Sequence, residues 1–388
     1  MSEDLAVQLD LSLTPVSSGE FWTARQRAGN SLHEISYRAC FKPPLARYFI
    51  KRFSSPGDVV YDPFMGRGTA PLEAALNGRI PWGRDANPLS EILLKARLNP
   101  PSFEEIENRI EAIEYRSLKA TETDELLVFF HPETLEEILA LRRYLIERER
   151  CGTLDPIDEW IRMVAINRLT GHSPGFFSVY SMPPNQAVSV KSQRRINQRR
   201  DQAPPRRDVP SLIARKTRAL LKDANHDIRA ALDAVNDRSR ITTGDARSAP
   251  ELTTDSAALV LTSPPFLDVV DYATDNWLRC WFANINLDEV HFDRHRRVED
   301  WCIFMAESIR DAARILKPGG ILAMEIGEVR AGTIRLEEHI APLGHGAGLK
   351  PIEILINDQS FTKTAHTWGV TNNTRGTNTN RVVVFRKD

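Results

Sequence analysis

The sequence predicts an α/β fold: an open sheet of buried strands with a largely helical insertion. Three observations carry that prediction. Short apolar runs at 58–62, 257–261 and 321–326 each stop at a turn, as strands in a covered sheet do. The first run passes through a glycine loop into the helical stretch 69–76, a strand–loop–helix unit that binds cofactors. Helical patterns fill 102–150, 157–169, 217–236 and 300–316, between and after the strand signals.

Composition sets the bounds. A chain of 388 residues is long enough for one large domain with an insertion, and 41% hydrophobic with 27% charged residues suits a soluble globular protein. Its formal net charge of −1 excludes a global basic field, so any nucleic-acid contact must come from a local patch. Cys40, Cys151, Cys280 and Cys302 are scattered without metal-ligand spacing, which fits a reducing cytoplasm, no disulfide framework and no metal. No apolar run approaches a membrane span and no signal pattern opens the chain.

Taken in order, 1–19 reads as a loose lead-in. Phe21, Trp22, Arg25 and Arg27 mix aromatics with arginines, a set that either stacks on a nucleic acid or packs on the domain; Trp22 is read as packing. A proline-started helix with an apolar stripe follows at 43–50. The Pro56-Gly57 turn leads into a strand ending at Asp62, and Gly66 and Gly68 permit left-handed backbone and close ligand approach. A second short strand ends at Asp85, 23 residues after Asp62. A carboxylate at that distance is placed to take ribose hydroxyls, and Asp85 can also cap the next helix.

The charged helices of 102–150 read as solvated amphipathic elements without chemistry. A loop rich in glycine, proline and aromatics spans 171–186. A basic block then runs over 191–218, opposed only by Asp201 and Asp208, and includes Arg194, Arg195, Arg199 and Arg200. Such a block contacts phosphates by displacing counterions, or is a solvated, partly disordered linker. A further strand leads to Asp245. The apolar run 257–261 ends at Thr262-Ser263-Pro264-Pro265-Phe266, where two prolines stop the ladder. That leaves a hydroxyl, carbonyls without neighbouring donors and an aromatic face at the carboxyl end of a strand, the edge at which open sheets bind ligands. An amino group lying flat on a ring is the natural guest. Trp277 and Trp281, four apart, read as core. Strands at 352–356 and 381–385 close the chain, joined through a polar loop at 371–380.

Two of these stretches, Asp62-Pro63-Phe64-Met65-Gly66-Arg67-Gly68-Thr69 and Ser263-Pro264-Pro265-Phe266, together resemble the motifs of amino-methylating DNA methyltransferases that use S-adenosylmethionine. The resemblance covers about 20–98 and 240–388. It implies a class I, Rossmann-like methyltransferase sheet built from 20–99 and 226–388, with 100–225 as a candidate target-recognition insertion. The implied cofactor residues are Asp62, Phe64, Gly66, Gly68, Thr69 and Asp85, with Asp245 for the adenine amino group. The implied catalytic set is Ser263, Pro264, Pro265 and Phe266, acting on a base swung out of double-stranded DNA, with Asp271 and Tyr272 as secondary candidates from a similar Asp-Tyr in the family. In this family a serine before the proline pair is associated with the N4 amine of cytosine, and aspartate or asparagine with N6 of adenine. The first is the expectation and the second the alternative. An RNA amino-methyltransferase and a silent nucleic-acid-binding module are the remaining rivals. The resemblance also implies a restriction–modification setting with a partner endonuclease. No Pro-Cys pair of the ring-carbon cytosine enzymes is present. The insertion between the strands of Asp85 and Asp245 departs from the common family layouts.

Overall fold

The computed structural model describes residues 14–22, 29–37, 42–115, 124–182, 186–265, 272–293, 295–326, 328–329, 334–358 and 379–388. Phe266, Asp271, Cys40, Arg25, Arg27 and most of the 371–380 loop lie outside them.

In chain order the elements are β1 (Val16–Gly19), α1 (Pro43–Phe53), β2 (Val59–Asp62), α2 (Thr69–Leu76), β3 (Ile80–Asp85) and α3 (Pro88–Leu98). Five helices follow: α4 (Phe103–Ala112), α5 (Pro132–Arg150), α6 (Pro156–Ile166), α7 (Val190–Arg200) and α8 (Val209–Leu220). The chain then returns to the sheet through α9 (His226–Asn236), β4 (Arg240–Thr243), β5 (Ala257–Thr262), α10 (Tyr272–Phe282), α11 (Val298–Ile315) and β6 (Leu316–Ile326). A short ribbon of β7 (Glu328–Val329) and β8 (Ile334–Arg335), then α12 (Leu336–Gly346), β9 (Leu349–Asp358) and β10 (Thr379–Lys387), complete it.

Eight strands form one sheet in the order β1-β9-β10-β6-β5-β2-β3-β4. The strands β6, β5, β2, β3 and β4 are mutually parallel, while β10 is antiparallel to both of its neighbours. From β2 the chain moves outward to β3 and β4, then crosses back to place β5 on the other side of β2. The β2/β5 boundary is therefore the topological switch point, outside whose carboxyl ends ligands bind in open α/β sheets. Every residue of β5 is buried, as a central parallel strand covered on both faces requires.

One hydrophobic cluster joins the sheet-covering helices to those of 103–220, from Leu72, Leu89 and Leu94 through Ile106, Phe129, Trp160 and Val209 to Leu278. The insertion is thus a second helical layer sharing a core with the first. Its polar interior is paired as well: fully buried Asp158 accepts from Arg109 at 2.6 Å and from Arg148 at 2.6 Å.

Two expectations need correction. Residues 16–19, expected within a loose lead-in, form edge strand β1 and pair in parallel with β9. They are held by the backbone ladder and by the Ser17 hydroxyl donating to Glu353 at 3.3 Å, so the short polar stretch carries no hydrophobic signature. The single helix expected over 217–236 is two helices, because the Asn225 side chain accepts from Ile228 N–H and starts α9 afresh. The basic block is ordered rather than a loose linker, and Arg206 pairs with Glu133 and Glu137 of α5. Trp22 is buried, as expected.

Gly68 caps α2 at φ 76°, and a β-carbon there would meet Leu94 Cδ1 at 2.7 Å. Gly68→Ala should therefore lower stability by about 2 kcal/mol or more, from left-handed backbone and overpacking. A urea midpoint that does not move would refute this packing role.

Candidate active site

The parallel strands bring four loops to one edge, around a cavity of about 310 Å³. From β2 come Asp62, Phe64, Met65, Gly66 and Thr69; from β3, Asp85 to Pro88; from β4, Thr243 to Ala246; from β5, Ser263 and Pro265. Tyr37, Tyr272, Phe304 and the stretch 289–293 close the remaining sides.

Asp62 is the floor of this site. It is 1% exposed and accepts from Thr262 Oγ1 at 2.6 Å and from Phe64 N–H at 3.0 Å. Burial raises its carboxyl to about 7, against the lowering effect of those two hydrogen bonds. Asp85 is also raised, chiefly by burial, although its two oxygens accept from Asn87 N–H and Gly66 N–H, each at 2.8 Å. The Asp85 carboxylate thereby ties the glycine loop to the start of α3. Asn87 in turn donates to Tyr37 Oη at 3.2 Å and caps α3 through Leu89 N–H.

Asp245 behaves differently. Burial works to raise its carboxyl, but hydrogen bonds from Arg247 outweigh this and hold it below the usual carboxylate range. The Arg247 guanidinium meets it at 2.5 Å and lies 5.4 Å from the Phe304 ring centre. Arg84 of β3 donates to the Asp245 carbonyl at 2.8 Å, fixing the backbone of this loop from the neighbouring strand.

Of the candidates named from sequence, the structure gathers Asp62, Phe64, Gly66, Thr69, Asp85, Asp245, Ser263 and Pro265 around one cavity. Gly68 stands behind it against Leu94, and Pro264 is buried and outside the lining. Phe266 falls outside the described residues. Arg194, Arg195, Arg199 and Arg200 lie exposed on α7, away from the cavity, with Arg200 stacked 3.8 Å over the Tyr180 ring. Sequence reasoning missed Tyr37, Phe304 and Trp301. The Trp301 indole N–H donates to the Pro265 carbonyl at 2.9 Å and so fixes the proline pair from α11. Nothing in a helical pattern marks such a tryptophan. The role of Thr262 had a signal, a hydroxyl at the last position of the strand, but its partner lies 200 residues away.

The residues present fit S-adenosylmethionine. Two desolvated carboxylates at the base of the cavity suit an ammonium and ribose hydroxyls, and Tyr37, Met65, Phe64 and Phe304 offer apolar walls for an aromatic ring. A mixed, mostly parallel sheet with this strand order and a cavity at its switch point is Rossmann-like. Residues 13–89 match the family model described as "DNA methylase", N6_N4_Mtase, and over that stretch the chain is similar to the amino-group DNA methylases.

Two curated relatives are similar over the same kind of length. The Type II methyltransferase M.MvaI of Kocuria varians is 35% identical over 82 residues, 20% of this chain and 18% of that one. The Type II methyltransferase M.MjaII of Methanocaldococcus jannaschii is 36% identical over 62 residues, 16% and 12% of the two chains. The matched stretch thus spans less than a fifth of either relative. Among solved structures, TrmN from Thermus thermophilus aligns over 90% of this chain and 50% of its own, with 13% identity and a TM-score of 0.33. The rRNA methyltransferase AviRa from Streptomyces viridochromogenes aligns over 90% and 86%, with 13% identity and a TM-score of 0.34.

Thr262→Val keeps the shape of the β5 terminus but leaves Asp62 Oδ1 without its hydroxyl donor. It should cost about 1–3 kcal/mol of stability and move the Asp62 carboxyl further upward. Equilibrium unfolding and a carboxyl titration followed by NMR check both effects; wild-type values in the variant would remove Thr262 from the site.

Proposed function

We propose that the protein is a DNA methyltransferase that transfers the methyl group of S-adenosylmethionine to the exocyclic N4 amine of cytosine. The observation that carries this is the placement of Ser263-Pro264-Pro265 at the end of β5, beside Asp62 at the switch point, with the Pro265 carbonyl held by Trp301. Bound S-adenosylmethionine supplies an electrophilic methyl group. In this reading Asp62 takes its ammonium, Asp85 its ribose hydroxyls and Asp245 its adenine amino group, with Gly66 and Thr69 lining the loop.

The target base enters from a flipped-out position, at a cost of a few kcal/mol. Phe266 stacks on the base, while Ser263 Oγ and the Pro264 carbonyl accept from the amine N–H groups. Those hydrogen bonds turn the nitrogen lone pair toward the methyl group, so rate enhancement comes from positioning and electrostatics. As the N–C bond forms, the S–CH3 bond would break with its electron pair going to sulfur, leaving S-adenosylhomocysteine, and the nitrogen loses one proton to water directly or through Ser263. The exposed arginines of α7, Arg194, Arg195, Arg199 and Arg200, carry phosphate contacts. The similarity to Type II methyltransferases supports a restriction–modification setting with a cognate endonuclease as partner.

Incubation with labelled S-adenosylmethionine and unmethylated genomic DNA or total RNA, followed by nucleoside mass spectrometry, is the direct test. N4-methylcytosine in DNA is expected. N6-methyladenine would keep the class and overturn the base, and label confined to RNA would overturn the substrate.

The Asp62 carboxyl, raised to about 7, gives a pH test. Only its ionised form pairs with an ammonium, so cofactor affinity should fall as pH drops through about 7, approaching tenfold per unit below it. Calorimetric titration should show this slope in the wild type and a flat profile in Asp62→Asn. Equal profiles would remove Asp62 as the ammonium partner.

A further inference from the structure

Away from the cavity, a group of cations lies together, with the Glu34 carboxylate near Lys216 but no ion pair to any of them among the described residues. Arg168 follows α6, and Arg215 and Lys216 lie in α8. The Arg168 guanidinium sits 4.1 Å from the Phe176 ring centre, and its buried Nε has no hydrogen-bond partner. Arg215 Nη2 donates to the Pro174 carbonyl at 3.3 Å, and Lys216 Nζ donates to the Glu34 carbonyl at 2.6 Å. Among the described residues none of the three cations makes an ion pair.

Gly175 marks the point where Arg168 and Arg215 converge, and Arg168 Nη1 donates to its carbonyl at 3.5 Å. A β-carbon there would lie 3.4 Å from Arg215 Nη2, 3.5 Å from Ser173 Oγ and 3.9 Å from Arg168 Nη1. Burial, then the charges of Arg279 and Arg215, push Arg168 down to about 10. Burial, then Arg168, push Lys216 down to about 8, with Glu34 acting weakly the other way. Gathering cations in a desolvated spot is unfavourable until an anion joins them.

We propose that Arg168, Arg215, Lys216 and the 173–175 loop form a phosphate-binding site that holds a backbone phosphate beside the nucleotide entering the cavity. This rests on the DNA methyltransferase reading and locates part of its substrate surface. The site and the cavity are joined by one short segment. Glu34 receives Lys216, Ser36 N–H donates to Asn167 Oδ1 at 2.8 Å next to Arg168, and Tyr37 lines the cavity.

The test uses the full chain, sheared genomic duplex DNA across a salt series, inorganic phosphate, and S-adenosylmethionine. Arg215→Ala changes an exposed side chain and should fold; Lys216→Gln and Gly175→Val remove a charge and fill the point of convergence. Each should weaken duplex binding about five- to tenfold at low salt, and the two charge variants should reduce the slope of log K against log salt by about 1. S-adenosylmethionine affinity, which confirms the fold, should stay within about twofold. Wild-type duplex affinity and slope in Arg215→Ala and Lys216→Gln overturn the site, even where methyl transfer to DNA is intact. A variant that loses stabilisation by inorganic phosphate but keeps duplex affinity overturns the backbone assignment in favour of a free anion. A wild type that binds the cofactor but neither binds nor methylates DNA overturns the underlying reading, and the site with it.

Discussion

The hydrogen bond from Thr262 Oγ1 to Asp62 Oδ1, 2.6 Å long and fully buried, is the constraint on which the site depends. It joins the carboxyl ends of β2 and β5, the two strands between which the chain reverses direction across the sheet. A carboxylate buried there without a donor would face the full desolvation cost of a charge in a covered site. With the hydroxyl and the Phe64 N–H in place it sits near 7, poised between its two protonation states. The same contact fixes where Ser263 begins. One residue beyond the clamp the chain meets Pro264 and Pro265, which cannot continue the ladder. Asp62 and the Ser263 turn are thus adjacent because β2 and β5 pair in parallel, and the Thr262 hydroxyl locks their ends together.

Asp85 extends this arrangement sideways. Its two oxygens hold Gly66 and Asn87, so the glycine loop, the second strand and the first turn of α3 move as one unit. Behind that unit, Gly68 lets Leu94 approach closely. The two glycines of the loop therefore serve different ends: Gly66 faces the cavity and Gly68 faces the core. A glycine loop read only as a ligand contact conceals this division.

That distinction shows what was legible in the sequence. Strand ends carrying Asp62, Asp85, Asp245 and Ser263 were readable because strand, turn and acid lie within a few residues of one another. Partners supplied from a distance were not. Tyr37 and Phe304 reach the cavity, and Trp301 the Pro265 carbonyl, from elements whose own patterns register only as aromatic helix or irregular chain. Strand β1 was invisible because a backbone ladder on β9 orders it, not its own apolar residues. Charge runs were ambiguous for a related reason: α7 keeps its arginines exposed while Arg206, a few residues on, is taken up by glutamates of α5.

The helices of 103–220 matter to the site through α10 rather than through any direct contact with the cavity floor. Ala187 N–H donates to the Asp275 carbonyl at 2.9 Å and the Trp277 indole donates to the Val188 carbonyl at 3.3 Å, so α10 is clasped by the segment that starts α7. From the other side Arg142 of α5 donates to the Trp281 carbonyl at 2.8 Å and lies over its ring at 5.1 Å. Since α10 is where the chain emerges after the Ser263-Pro264-Pro265 turn, the insertion sets the far end of the loop whose near end Thr262 sets. The segment that starts the basic helix is therefore tied to α10 by one backbone bond at Ala187 and one indole bond at Val188. A rotation of α7 would be felt at Tyr272, the α10 residue in the cavity wall.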